Sequence, residues 1–149
     1  MKKTMVMIKL LIAVLLLSSF QDKEKTSYPL TVEVKNLRNS NGVVQFVLYN
    51  NPDAFPDEHY KKYYRKLTAK IVNGVAEVTF ENLPIGKYAI NILHDEDSNG
   101  MIKKGIILPK EGIGFSNYQS INILNQPNFR KASFDLKPDQ KITVSVIYL

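Results

Sequence analysis

A segment rich in aspartate and asparagine, Asp95 to Gly100, has the residue types and spacing that hold calcium in proteins. Its oxygen-bearing side chains at positions one, three and five, with glycine at six, match the first half of an EF-hand loop. The second half does not match, because Lys103 stands at position nine and Ile106 at position twelve, where a bidentate glutamate belongs. Glu111 could supply a carboxylate if the following loop returns to the segment. The candidate metal ligands are Asp95, Asp97 and Asn99.

The same segment also has a purely structural interpretation. Aspartate and asparagine side chains accept hydrogen bonds from nearby backbone N–H groups and so stabilise turns without any ion. Half of a calcium motif is a weak signal, and it favours this Asx-rich turn over a metal site. Calcium therefore stays open as an alternative, and no other cofactor is expected.

A second chemistry to consider is hydrolysis, since His94, Asp95 and Ser116 are the residue types of a catalytic triad. That chemistry needs the three side chains to converge beside an oxyanion site. Neighbouring residues on a strand point to opposite faces, which works against a direct pairing of His94 with Asp95. A small hydrolase is therefore an unfavoured alternative, and His94 is expected to anchor the loop by a hydrogen bond.

A glycine-rich stretch follows, from Pro109 to Asn117. Its glycines allow tight backbone turns, and it predicts a compact loop that closes over one end of the domain and is pinned by Phe115. It lacks the pattern of a phosphate-binding loop. The residues predicted to form a ligand-binding end are His94, Glu111, Phe115, Ser116 and Asn117.

The elements that must position these residues are β-strands, because apolar and polar residues alternate with period two along most of the chain. About seven strands are predicted, joined by short turns such as Asn73-Gly74. Each strand has one apolar face, so two antiparallel sheets packed as a β-sandwich are expected, with a small barrel as the alternative. The apolar faces begin at Leu30, Val44, Ala76, Tyr88, Ala132 and Ile142, and the run Thr68 to Val72 is predicted to pair with the Ala76 strand across the Asn73-Gly74 hairpin.

One connection departs from this pattern. In residues 52 to 67, Tyr60, Tyr63, Tyr64 and Leu67 recur at helical spacing after two prolines and an acidic pair, which predicts a short helix. Its tyrosines would cover the end of the sandwich. A basic-aromatic surface for an anionic polymer is the less favoured interpretation. Ser120 to Leu124 could form a further strand.

The N-terminus has the pattern of a secretory signal peptide. Lys2, Lys3 and Lys9 accompany an apolar run that ends at Leu17, which is too short to span a bilayer. We predict a signal peptide over residues 1–20, with cleavage between 19 and 21, then a flexible tether over 21–29 and one domain over 30–149. Export to the periplasm or the cell exterior follows, with no membrane span after cleavage.

The cysteine content and the net charge of the chain bear on its anchoring and its partners. The chain has no cysteine, so a lipoprotein anchored through cysteine is excluded, and the domain must be stable without disulfides. The net charge of +6 falls to +3 once the three leader lysines are removed, so a nucleic-acid partner is not expected.

Taken together, the motifs resemble the bacterial "domain of unknown function 2141" family over about residues 30–149. That resemblance implies an exported sandwich, similar to transthyretin-like or immunoglobulin-like domains, and assigns no activity. Family members often have an aspartate near Lys103, so this lysine and Lys104 depart from a more acidic loop. The matching pieces are Gly42-x-Val44-x-Phe46-x-Leu48-Tyr49, Phe80-x-x-Leu83-Pro84-x-Gly86-x-Tyr88, His94-Asp95-x-Asp97-x-Asn99-Gly100, Gly105-Ile106, Pro109-x-Glu111-Gly112-x-Gly114-Phe115-Ser116-Asn117 and Pro127-x-Phe129-x-x-Ala132-x-Phe134.

The function expected from the sequence is that of an exported, non-catalytic β-sandwich that binds or scaffolds a partner through residues 95–117. An envelope protein or a glycan is the expected partner, and a monomer is the expected state. A calcium-stabilised module is the alternative.

Overall fold

The structure, a computed structural model, describes residues 26–102 and 110–149. The predicted signal peptide and most of the predicted tether lie outside the described residues, as do Lys103, Gly105, Ile106 and Pro109. The first strand begins at Ser27, so it includes the last three residues that we had predicted as tether.

The described residues form strands in two sheets, which confirms the predicted all-β sandwich. The strands are β1 (Ser27–Val34), β2 (Val43–Tyr49), β3 (Arg65–Ala69), β4 (Ala76–Pro84), β5 (Lys87–Asp95), β6 (Gly112–Phe115), β7 (Phe134–Asp135) and β8 (Gln140–Val144). A 3-10 helix (Pro52–Ala54) and one short α-helix, α1 (Phe129–Ala132), complete the described elements.

The smaller sheet has the strand order β4-β1-β8. Strand β1 pairs antiparallel with β4 but parallel with β8, with Val34 opposite Ala76 on one side and Val144 on the other. The predicted all-antiparallel pairing is therefore interrupted at one ladder. The larger sheet has the order β3-β2-β5-β6, and β7 pairs with β5 near Tyr88.

Strands β2 and β5 are buried on both faces. On the inner face, Phe46 and Ile92 pack with the smaller sheet in the main apolar core. On the outer face, Val47 and Leu93 belong to a second apolar cluster, which is covered by the chain before β3 and by the chain after β6. Burying an aliphatic side chain is worth about 1.5–3 kcal/mol, so both clusters contribute to stability. The functional residues described below lie at one edge of this doubly covered region.

The sequence predicts that the strands on either side of the Asn73-Gly74 turn pair with each other. This prediction is wrong, because the two strands lie in different sheets. Strand β3 pairs with β2, strand β4 pairs with β1, and only an isolated bridge joins Val72 to Val75. The turn itself forms, since both residues have positive φ. Alternation locates a strand but does not select its partner, because any apolar face of matching length can pair with it.

The predicted helix in the 52–67 connection is present but is limited to the 3-10 turn Pro52–Ala54. Beyond it, the Asp57 carboxylate accepts hydrogen bonds from the backbone N–H groups of His59, Lys61 and Lys62, at 3.1, 2.6 and 2.6 Å. An aspartate that bonds the backbone in this way competes with helix formation. Tyr60 is buried. Tyr63 and Tyr64, which were predicted to cover the end of the sandwich, are instead 39% and 37% exposed.

The final segment of the chain joins the two sheets. After β8, the backbone of Ile147 forms a bridge with Ile113 in β6, with N···O distances of 3.0 and 2.7 Å. The approach requires glycine, because a Cβ on Gly114 would lie 2.5 Å from the Ser145 carbonyl oxygen. Strand β6 was predicted only as part of a loop, and the strand suggested for Ser120 to Leu124 does not form.

Candidate cation site at the end of strand β5

The Asp95–Gly100 segment forms the tight turn that its spacing predicted. The Asp95 carboxylate accepts hydrogen bonds from the backbone N–H of Asn99 at 3.0 Å and of Gly100 at 2.7 Å. Asp97 Oδ1 also lies 3.3 Å from the Asn99 nitrogen, and Asn99 Oδ1 accepts a bond from Met101 N–H at 2.7 Å. The structure therefore contains the Asx-rich turn. Gly100 has the positive φ of 76° that this turn requires.

Three carboxylates converge at this turn. Asp95, Asp97 and Glu111 can each offer one oxygen such that all three oxygens lie within 4.8 Å of one another. Asp95 and Glu111 are each only 2% exposed, whereas Asp97 faces solvent. Two unit charges at this distance repel by about 3 kcal/mol at an effective dielectric constant near 20. A cation between the three oxygens would replace that repulsion with attraction.

Glu111 reaches the turn because of the register of the larger sheet. Gly112, the first residue of β6, lies opposite His94, so Glu111 is brought alongside the end of β5. There its Oε1 accepts a hydrogen bond from the backbone N–H of Glu96 at 3.1 Å. The structure therefore brings the Glu111 carboxylate back to the turn. The sequence allowed this arrangement but did not require it.

An arginine fixes the turn from the other side. Arg38 donates two hydrogen bonds to the Glu96 carboxylate, at 2.6 and 2.8 Å, and a third to the Lys110 carbonyl at 2.9 Å. This guanidinium, helped by Asn39, lowers the pKa of Glu96 to about 2 against the opposing effect of partial burial. Arg38 therefore connects both chain segments that carry the carboxylates.

His94 anchors the same end of β5 from the inner face. It is fully buried, with Nε2 3.1 Å from the Asn41 carbonyl oxygen and Nδ1 2.8 Å from the Tyr148 hydroxyl. A carbonyl can only accept, so Nε2 donates and Nδ1 accepts from the hydroxyl. Arg38 N–H donates to the same hydroxyl at 3.2 Å. The predicted anchoring role fits this arrangement.

The other residues predicted at the ligand-binding end lie elsewhere. Ser116 accepts from Ile90 N–H at 2.9 Å and donates to Ala132 O at 2.7 Å. Asn117 donates to backbone carbonyls at residues 131–133, and Phe115 packs edge-on against Phe55. These three residues hold α1 and the second apolar cluster in place, outside the carboxylate cluster.

The triad residues do not meet in this fold. Ser116 lies beside Ile90, four positions along β5 from His94, which corresponds to roughly 13 Å along a strand. Both side chains are occupied by structural hydrogen bonds. The geometry therefore gives no support to a hydrolase.

The sequence interpretation missed a group of buried polar side chains on the outer face of the larger sheet and in the chain that covers it. In the part of the chain that the structure describes, four of their atoms have no hydrogen-bond partner: Gln45 Nε2, Tyr49 Oη, Tyr60 Oη and Asn91 Oδ1. Burial, more than any neighbouring charge, raises the pKa of both tyrosines. Glu111 acts on the pKa of Tyr60 in the same direction. The available signal was an amide side chain interrupting each of two apolar strands.

Comparisons with known proteins identify the family of this chain. The family described as "Uncharacterized protein conserved in bacteria (DUF2141)" matches residues 32–144. No curated protein matches the chain. A solved structure of a fimbrial assembly protein from Parabacteroides distasonis is similar at 12% identity with a TM-score of 0.41; the match covers 83% of this chain and 53% of that one. The chain thus spans about half the length of that protein. Over residues 26–102 and 110–149, no helix has the length and apolar character needed to cross a membrane.

Proposed function

Because the chain belongs to the DUF2141 family of uncharacterized proteins conserved in bacteria, whose description assigns no reaction, we propose a function from the geometry of the site itself. The protein is an exported, non-catalytic β-sandwich whose end around residues 95–117 binds calcium and presents a surface to a partner. Export rests on the predicted signal peptide. An envelope protein or a glycan remains the proposed class of partner.

The observation that carries the proposal is the convergence of Asp95, Asp97 and Glu111 within 4.8 Å. Two of these carboxylates are buried, and backbone N–H groups of Glu96 and Gly100 hold them at the turn. The donors are all oxygen, which favours a hard cation over the transition metals that prefer histidine or cysteine. An irregular set of carboxylate oxygens suits calcium better than magnesium, which needs a near-ideal octahedron.

The expected affinity is modest. The site lacks the bidentate glutamate at position twelve of an EF-hand, and Lys103 adds a positive charge to the same loop in sequence. Calcium sites in extracellular modules bind with dissociation constants of roughly 10⁻⁴–10⁻³ M, and we place this site in that range. Calcium would then stabilise the loop end rather than act as a signal.

Thermal unfolding of the purified protein, in calcium and in chelator, tests this function. At a calcium concentration tenfold above the dissociation constant, a single site adds about 1.4 kcal/mol of stability. For a domain of this size, that raises the midpoint by about 4 °C. We expect this rise in wild type and in Asp53→Asn, a control at an exposed aspartate away from the site, but not in Asp97→Asn. Equal midpoints with calcium and chelator in wild type would refute the proposal.

A further inference from the structure

We propose that the segment leading into and along β3 is a second binding surface, which takes an acidic polysaccharide containing uronate sugars. The sequence favours a different role for this segment, in which its tyrosines cover the end of the sandwich. The structure removes the ground for that role, because two of the tyrosines are exposed. The surface shares no residue with the cation site. We name it the basic strip, and its members are Lys61, Tyr63, Lys66 and Lys70.

Positive charge is concentrated in this part of the chain. Between His59 and Val75 there are five lysines and arginines and no aspartate or glutamate. These five charges exceed the net charge of +3 that remains once the leader lysines are removed, so the rest of the domain has a net negative charge. A local excess of one sign attracts ligands of the opposite sign. The segment is therefore the part of the domain suited to a polyanion.

Two of the five cations are used by the fold itself. Lys62 interacts electrostatically with the buried Asp57 carboxylate. Arg65 donates a hydrogen bond to the Glu81 carbonyl at 2.6 Å, and its guanidinium lies over the Tyr64 ring.

The other three cations, which are members of the basic strip, are exposed. Within residues 26–102 and 110–149, the ion pairs involve other side chains. The ammonium groups of Lys61, Lys66 and Lys70 are therefore accessible to a ligand.

The backbone of the strip is fixed on both sides. The Asp57 carboxylate accepts hydrogen bonds from the backbone N–H groups of Lys61 and Lys62, at 2.6 Å each. Further along, Tyr64 N–H donates to the Leu48 carbonyl at 2.8 Å, and β3 then pairs with β2. A surface that is ordered in advance loses little conformational entropy when it binds.

Tyr63 gives the strip a surface on which a sugar ring can stack. Its ring is 39% exposed, and the Lys66 Nζ atom lies 5.5 Å from the ring centroid, so ring and charge share one surface. The C–H groups on one side of a pyranose ring pack against the electron-rich face of an aromatic ring. A carboxylate on the same sugar or its neighbour would then reach the ammonium group.

The strip has the shape that an extended polymer requires. Strand β3 is at the edge of the larger sheet, and Lys70 directly follows its last residue. Because side chains alternate along a strand, Lys66 and Lys70 lie on the same side, roughly 13 Å apart. Lys61 continues the row beyond Tyr63. A chain of acidic sugars could therefore meet several cations in succession.

Edge protection is the simplest alternative role, since lysines on an edge strand prevent pairing with another chain. That role explains the charge but not an exposed aromatic ring with a cation over it. A nucleic acid is another polyanion that stacks on aromatic rings. Export, which the predicted signal peptide implies, favours a polysaccharide over a nucleic acid.

Binding of fluorescently labelled polygalacturonate, a polymer of uronate sugars, tests the inference, with neutral dextran for comparison. The purified protein is titrated in chelator, so that the cation site does not contribute. We expect wild type to bind polygalacturonate but not dextran, and to bind more weakly as salt is added. A variant that combines Lys61→Gln, Lys66→Gln and Lys70→Gln should bind about tenfold more weakly, because three exposed ionic contacts are lost.

Matched variants separate the strip from net charge. A second triple variant, Lys35→Gln, Lys87→Gln and Lys137→Gln, removes the same charge at exposed lysines elsewhere and should bind like wild type. Tyr63→Phe keeps the ring and should keep the affinity, whereas Tyr63→Ser should lose about threefold. Equal losses in the two triple variants would overturn the inference. Should a triple variant not fold, the comparison of Tyr63→Ser with Tyr63→Phe decides, and equal affinities reject the strip.

The remaining outcomes concern the class of ligand. If wild type does not bind polygalacturonate, the inference is refuted while the proposed calcium site stands, because that site is tested by unfolding in calcium. A single-stranded oligonucleotide and phosphatidylglycerol vesicles are titrated in parallel. Equal or tighter binding of either one would overturn the assignment to a polysaccharide.

Discussion

The backbones of Gly42 and Asp95 approach so closely that a side chain on Gly42 would not fit between them. A Cβ on Gly42 would lie 1.9 Å from the Asp95 carbonyl oxygen, and the φ of Gly42 is +65°. The start of the aspartate-rich turn is therefore fixed by a contact with the residue that precedes β2. The position of the first carboxylate depends on this glycine as much as on its own hydrogen bonds.

Replacing Gly42 with alanine should therefore be costly. The left-handed backbone alone costs roughly 1–2 kcal/mol, and the clash adds roughly 1–3 kcal/mol. Gly74→Ala is the matched control, because Gly74 also has positive φ but nothing lies within 4 Å of its Cβ position. Urea unfolding of both variants checks the difference. Equal losses of unfolding free energy would show that the contact with Asp95 does not constrain the fold.

The Arg38–Glu96 pair makes a prediction about acid stability. The hydrogen bonds from Arg38 lower the pKa of Glu96 in the folded state from 4.5 to about 2. A depressed carboxyl pKa contributes stability above the unfolded value and loses it as pH falls from about 4.5 towards 2. His94, 3.8 Å from the same carboxylate, and Tyr148 are titratable groups that also face Glu96. Arg38→Met should therefore flatten the fall in unfolding free energy across this window.

The control for that measurement is Lys87→Met. Lys87 pairs with Asp135 at 3.1 Å, but both side chains are more than half exposed, so this pair should contribute little. Its variant should keep the wild-type pH dependence. A wild-type slope in Arg38→Met would contradict the role given to the guanidinium.

At the residue scale, the sequence identified the turn because the spacing of Asp95, Asp97 and Asn99 is local. Glu111 could only be suggested, since its arrival depends on the register between β5 and β6. Gln45 was missed because a single amide in an apolar strand carries no spacing signal. The neighbours of Gln45 on the outer face depend on the pairing of β2 with β5.

At the scale of elements, the segment after β8 links the two sheets by a backbone bridge. It leaves the smaller sheet at Val144, bridges to β6 at Ile147 and ends with the Tyr148 hydroxyl against His94. This hydroxyl serves the buried imidazole and the backbone of Arg38 at once. The segment therefore links the core of the sandwich to the cation site.

Tyr148→Phe tests that link. The change leaves Nδ1 of the fully buried His94 without its partner, which should cost about 1–3 kcal/mol of unfolding free energy. Tyr63→Phe, at a tyrosine that is 39% exposed, should change stability by less than about 0.5 kcal/mol. Chemical denaturation measures both. A neutral Tyr148→Phe would mean that the hydroxyl does not hold the segment.

The elements also show where sequence reasoning succeeds and where it stops. Alternation located β1, β2, β4 and β5 because each has one face in the main core. It gave no partners, so β3 and β4 were wrongly joined across the Asn73-Gly74 turn. The helical spacing of tyrosines in residues 52–67 misled for a different reason, because the Asp57 carboxylate bonds the backbone and stops the helix.

At the scale of the whole molecule, the protein is a two-sheet scaffold with a charged end. The main core lies between the sheets, and a second apolar cluster covers the outer face of the larger one. The carboxylates lie at the edge of that second cluster, where β5 and β6 meet. A scaffold of this kind holds a loop rigidly, and the proposed ion would bind where the three carboxylates converge.

A crystal structure of the protein soaked in terbium, a calcium analogue, with anomalous diffraction, tests the central claim most directly. The account predicts one strong anomalous peak within about 2.3–2.6 Å of oxygens from Asp95, Asp97 and Glu111. A well-ordered cluster without a peak, or peaks only at other surface carboxylates, would contradict it.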